Sequence, residues 1–202
     1  GTSGMVEPMS EKALTDTISL ELHQKHIAGL KSVILTPGNY GESFLRDELD
    51  VNLDYAVKCS NYIGESLDMA VQENIEEVLL VGHGGKLIKL AAGVMNTHSK
   101  YADCRTELMA LLALLTGAKV EVGKEIIDCP TTDEVVKILQ REGIFEEVIS
   151  GVTERIDFYM QHRVHGKIKT AALMFSNVYG ILGKTAAADE LIKLHLKDKQ
   201  EG

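Results

Sequence analysis

Apolar positions along the chain alternate between two periods, and their order predicts the elements. Leu14, Ile18 and Leu22 form one stripe behind Ser10, so a capped helix is expected from Ser10 to about Ile27, ended by Gly29. Residues 31–35, KSVIL, read as a short buried strand, and TPGNYG (36–41) as a turn. A short helix is expected over Glu42–Leu49, a weaker strand over Tyr55–Lys58, and a helix from Tyr62 to about Asn74. Glu77–Val81 is the clearest strand; VGHGGK (81–86) then opens a helix over 86–93. Leu108–Leu115 is apolar nearly all round, which predicts a buried helix. Thr131-Thr132-Asp133-Glu134 fits a capping box for a helix over 132–142, closed by Gly143. Phe145, Val148, Ile149, Val152 and Ile156 mark another amphipathic helix. Lys167–Phe175 and Tyr179–Gly183 read as a closing hairpin, followed by a helix from Ala186 to about Leu196.

This order predicts one α/β domain over 1–202: a Rossmann-like, mostly parallel sheet with helices on both faces, a helical insertion and a C-terminal β-hairpin. Ligands of such sheets bind beyond the carboxyl ends of the strands, near a topological switch. The turns TPGNYG, CSNYIG and GHGGK are therefore expected to line one rim.

Composition narrows the function classes. The chain is 45% hydrophobic and 25% charged, and its net charge of −9 disfavours nucleic acid and anionic membranes while leaving room for a local basic pocket. It has no apolar run of membrane-spanning length and no visible signal peptide, so a cytoplasmic location is expected. Cys59, Cys104 and Cys129 are odd in number and unclustered, which argues against a disulfide framework or a zinc knuckle.

Glycine lets backbone amides approach a ligand, and a helix N-terminus attracts an anion. Neither glycine loop is a P-loop or a good G-x-G-x-x-G, and plain tight turns remain an alternative reading. Where a dinucleotide site places an acidic ribose partner, this chain has Cys59-Ser60. A second cluster, NTHSKYADCRTE (96–107), sits between two apolar segments; it is either capping and ion-pair chemistry or a site. Lys86, Lys89, Lys100 and Arg105 form a basic concentration that suits a polycarboxylate. His83 and His98 lack the paired spacing of zinc ligands, so no metal site is expected. His23, His26, His162 and His195 fall on helical segments and are expected at the surface, and Cys104 is expected to be an inert thiol.

The segments TSGMVEPMS (2–10), LTPGNYGE (35–42), VGHGGKLIKLAAGVMNTHS (81–99) and ADCRTE (102–107) resemble the cobalt-precorrin-5B C1-methyltransferase family of anaerobic cobalamin biosynthesis, the CbiD-type proteins. Their order and spacing run through most of the chain, and the block from Val81 to Glu107 is the specific part. One departure lies inside it: Gly84 stands where family members often carry a bulkier apolar residue. Family members also carry an N-terminal region rich in Gly, Thr and Ala. The resemblance thus identifies residues 1–10 as a junction segment, GTSG as natural sequence, and the missing N-terminal half as a partner.

The resemblance implies methyl transfer from S-adenosylmethionine to C1 of a cobalt-containing corrin precursor, a polycarboxylate. It implies donor contacts from Thr36, Pro37, Gly38, Asn39, Gly41, Ser60, Asn61, Gly82, Gly84 and Gly85. Substrate contacts would come from Lys86, Asn96, Thr97, Ser99, Asp103 and Arg105, with His83 and His98 as catalytic candidates. Two further functions stay open, a non-catalytic corrinoid- or nucleotide-binding module and a Rossmann-type NAD-dependent oxidoreductase, as does assembly into a homo-oligomer.

Overall fold

Ser10 accepts a hydrogen bond from the Ala13 amide and opens α1 (Glu11–Ile27), which buries Ile18 and Leu22 from the predicted stripe. The computed structural model describes residues 10–197, so the junction segment 1–9 lies outside the described residues. Strand–helix units follow: β1 (Ser32–Thr36), α2 (Asn39–Glu48), β2 (Ala56–Lys58), α3 (Ile63–Gln72) and β3 (Glu77–His83). Next come α4 (Gly84–Leu87), which continues as a 3-10 turn over Ile88–Ala92, then α5 (Arg105–Leu115), α6 (Val120–Ile127), α7 (Thr132–Arg141) and α8 (Phe145–Val164). The chain closes with β4 (Lys169–Ser176), β5 (Gly180–Lys184) and α9 (Ala188–Leu194).

The sheet order is β2-β1-β3-β4-β5. The first four strands are parallel, and β5 runs antiparallel to β4. Both faces are covered, which explains the unbroken apolar runs. Val33, Leu35, Val78 and Leu80 face a core built with α1, α3 and α5 to α8. Ile34, Leu79, Leu173 and Phe175 face a second core with α2 and α9. Because β1 lies between β2 and β3, the chain reverses its winding there, and the switch point falls between the tips of β1 and β3. Among the described residues no helix is long and apolar enough to cross a membrane.

The expected C-terminal hairpin is present as β4 and β5, and it joins the main sheet: β4 pairs in parallel with all of β3, from Glu77↔Lys169 to His83↔Phe175. Three local expectations are corrected. The helix expected over 86–93 is one α-turn that tightens into 3-10 geometry and ends at Gly93 in the left-handed region. α5 is not buried all round; it buries Leu108, Met109, Ala110 and Ala113 but leaves Leu111 and Leu115 exposed. His195 is fully buried rather than superficial, because the Asn52 amide bonds its carbonyl and draws the C-terminal segment against residues 50–52.

His195 also sets a pH limit. Its Nε2 shares a 2.9 Å hydrogen bond with Ser32 Oγ, and burial pushes its pKa below the ordinary 6.5. The folded state therefore holds a neutral ring. This contribution is complete above 6.5 and lost as pH falls through the depressed folded value. Melting temperature measured against pH should fall more steeply on the acid side in the parent than in His195→Gln.

Candidate functional site

Three turns meet at the switch point. Thr36 joins the first two: its carbonyl accepts from Gly38 N at 3.1 Å and from Cys59 N at 3.0 Å. Gly38 has φ of +96°, and a Cβ there would stand 3.7 Å from Lys86 Nζ, so the first and third turns approach each other. Gly41 and Gly82 are buried where the turns pack. A Cβ on Gly41 would lie 3.0 Å from Val81 O, and one on Gly82 would lie 2.8 Å from Pro37 Cγ and closer still to Leu87 Cδ1.

Lys86 reaches both of the other turns. Its ammonium donates to Asn61 Oδ1 at 2.9 Å, and Thr97 Oγ1 donates to the same oxygen at 3.2 Å. Asn61 O in turn accepts from Thr97 N at 3.0 Å, which ties the second turn to the 96–104 loop. Burial lowers the Lys86 pKa, with Lys89 adding to the effect and Cys59 opposing it. Among the described residues no carboxylate forms an ion pair with Lys86. A half-buried cation without a counter-charge is costly, and an anionic ligand would relieve that cost. Cys59 beneath it is fully buried, with its thiol pushed up to about 12 by burial, so it stays protonated.

At the tip of β2, Lys58 donates to Asn39 Oδ1 at 2.9 Å and lies 3.2 Å from Glu42 Oε2. Glu42 thus brings to this strand end the carboxylate that Cys59-Ser60 lacks. It was not legible because it arrives from α2, outside the strand-end position. Ser60 holds a left-handed backbone at φ +52°.

His83 caps α4: its Nδ1 accepts from Gly85 N at 3.0 Å. That bond requires Nδ1 unprotonated, so the neutral ring carries its proton on Nε2. Burial lowers its pKa, against the pull of Asp133 and with Arg105 assisting. Gly84 is buried and a Cβ on it would meet Leu182 Cδ1 at 3.0 Å, so this turn packs directly on β5. Arg105 holds both Asp103 oxygens, at 2.7 and 2.5 Å, and reaches Gly85 O at 3.3 Å. The same guanidinium holds the Asp103 carboxyl down to about 2.

Lys89 is a structural clamp, buried and donating to the carbonyls of Thr97 and Ala102. Lys100 is paired with Glu11. Asn96 accepts the His98 amide, and His98 Nδ1 accepts the Lys100 amide, so both side chains shape their own loop. His98 and Ser99 lie on its exposed side. The structure therefore brings together Gly38, Asn39, Asn61, His83, Gly85, Lys86, Thr97 and Arg105 at one rim. It leaves His98 and Ser99 outside, and gives Gly41, Gly82 and Gly84 packing positions. Among the described residues no three His, Cys, Asp or Glu side chains gather as metal ligands.

Fold and rim define an α/β protein whose glycine turns meet at its topological switch. Residues 96–186 match the family described as CbiD, C-terminal domain. Over its full length the chain is 42% identical to a cobalt-precorrin-5B C(1)-methyltransferase of Ruminiclostridium cellulolyticum, covering 54% of that protein. Proteins of the same name from Alkaliphilus metalliredigens and Methanocaldococcus jannaschii are 35% and 37% identical, with 96% and 91% of this chain aligned to 51% and 50% of theirs. The chain belongs to the CbiD family and spans about half the length of these curated relatives. No solved structure matches it.

Proposed function

We propose that this chain is the donor-binding half of an S-adenosylmethionine-dependent methyltransferase that acts at C1 of cobalt-precorrin-5B, in the cytoplasm. The observation that carries the reading is Lys86: a half-buried ammonium with no carboxylate partner among the described residues, under Gly38 at the switch point. The likeness to named relatives across the whole chain supports the reaction class. The remaining half of the longer chain is read as the partner that completes the corrin site.

The donor set fits such a cofactor. The ammonium of Lys86 suits its amino-acid carboxylate, and Glu42, Ser60 and Asn61 suit its ribose hydroxyls. A neutral His83 adds no second cation beside a sulfonium. The bound cofactor supplies an electrophilic methyl group, and displacement at that carbon needs alignment and exclusion of water more than a nucleophile from the protein. His83 contributes an Nε2–H donor whose direction is fixed by the Gly85 amide. Arg105 holds the Gly85 carbonyl and so steadies the same turn. Arg105 presents its remaining N–H edge to a polycarboxylate ring, with Thr97 and Asn96 setting the loop beside it. Isothermal titration of the chain with S-adenosylhomocysteine should give a one-to-one isotherm; absence of any heat or thermal protection would overturn the reading.

A further inference from the structure

Beside the glycine turns lies a cavity of about 80 Å³, between the first turns of α5 and α7. Arg105, Thr106, Thr131 and Thr132 are among its lining residues. Two helix N-termini thus face one space, and each brings backbone amides without intrahelical partners. Cys104, at the start of α5, offers no side-chain cap. Thr131 caps only the Glu134 amide of α7. Thr132 is buried, 6% exposed, and its Oγ1 has no hydrogen-bond partner. Its methyl lies 3.6 Å from the Cβ position of Gly84, and the residue lines the cavity. A buried hydroxyl without a partner is costly and points to a group that supplies one.

The charges nearby are accounted for. Asp103 also lines the cavity, but Arg105 holds both its carboxylate oxygens and its Oδ1 accepts the Arg105 amide, so on the α5 side the Thr106 and Glu107 amides are the ones left to a ligand. Asp133 accepts from Ser176 Oγ at 2.7 Å and is not among the lining residues. Of the five N–H donors of Arg105, three are used, by Asp103 and Gly85 O, which leaves two. The volume is several times the ~10–15 Å³ that one water needs, so it admits a carboxylate arm but no nucleoside.

From this geometry we infer that the cavity is a carboxylate subsite, in which the first-turn amides of α5 and α7, the Thr132 hydroxyl and the free edge of Arg105 bind one carboxylate arm of the substrate. The identity of the arm rests on the polycarboxylate reading of the rim; the subsite itself does not depend on methyl transfer. The test is a titration of the ¹⁵N-labelled 202-residue chain with sodium propionate and, separately, inorganic phosphate, followed by amide shifts. Propionate should give saturable shifts at the Thr106, Thr132 and Asp133 amides. Thr132→Val should weaken them about tenfold, while Thr132→Ser, which keeps the hydroxyl, retains them. Shifts with phosphate alone would overturn the carboxylate assignment, and no saturable shift with either anion would overturn the subsite. Propionate saturation in a chain that does not bind S-adenosylhomocysteine would uphold the subsite while the methyl-transfer reading fails. Binding of the thioether without propionate would do the reverse.

Discussion

Lys86→Met should leave the free protein at least as stable as the parent while weakening S-adenosylhomocysteine binding about a hundredfold, roughly 2.7 kcal/mol. The two signs differ for one reason. In the free protein the Lys86 ammonium is half-buried, and its polar partner in the described residues is the amide oxygen of Asn61. Burial penalises its charged form, so removing the charge removes that penalty. In the complex the same ammonium has a carboxylate to neutralise, and methionine of similar length offers nothing. The penalty is complete at low pH and relieved as pH rises through the depressed folded pKa toward the ordinary 10.5, so the parent gains stability across that alkaline window and Lys86→Met does not. Chemical denaturation and titration calorimetry on the same preparations separate the two effects. A variant that loses stability and affinity together would make Lys86 a structural residue.

Gly82→Ala should lower stability by about 1–3 kcal/mol and carry donor affinity down with it. Gly82 lies at the carboxyl end of β3, where Pro37 and Leu87 close over it from the neighbouring turns. A single methyl there meets the Pro37 ring at 2.8 Å, so the first turn must move off the third. A domain of this size converts each kcal/mol into about 2–4 °C of melting temperature. Gly85→Ala is the contrast, since its Cβ would meet His83 Nδ1 at 3.1 Å and can be absorbed by a small ring shift. In a Pro37→Ala background the cost of Gly82→Ala should shrink, because part of the obstruction is gone. Equal costs in both backgrounds would mean that the two turns do not bear on each other.

The strong strands and the rim were legible because local signals agree with global ones there. Residues 33–35 and 78–81 are apolar on both faces, their strands end in glycine turns and lead into helices, and they occupy the two sides of the switch point. The α7 capping box was legible for the same reason: Thr131 accepts the Glu134 amide as its spacing predicts. Partner choice was not legible. Nothing in Lys169–Ser176 states that it will pair with β3 across a long helical insertion, since pairing is decided by tertiary packing. α6 escaped notice because its valines and Gly123 weaken a helical reading, yet Gly123 is the position where the Leu114 side chain fits. Burial of His195 and Lys89 was also hidden. Both are polar residues drawn inward by hydrogen bonds to distant segments, Ser32 for one and the 97–102 loop for the other. At the candidate site, the glycines, Asn61 and Lys86 could be named from sequence. Glu42 and Thr132 could not, because each reaches its place from an element other than the three turns.

A crystal of the chain soaked with S-adenosylhomocysteine tests the shared crevice most directly. The predicted result is a thioether ligand at the switch point, its carboxylate on Lys86 Nζ and its ribose beside Asn61 and Glu42. A ligand bound elsewhere on the surface, with the Lys86–Asn61 contact undisturbed, would contradict it.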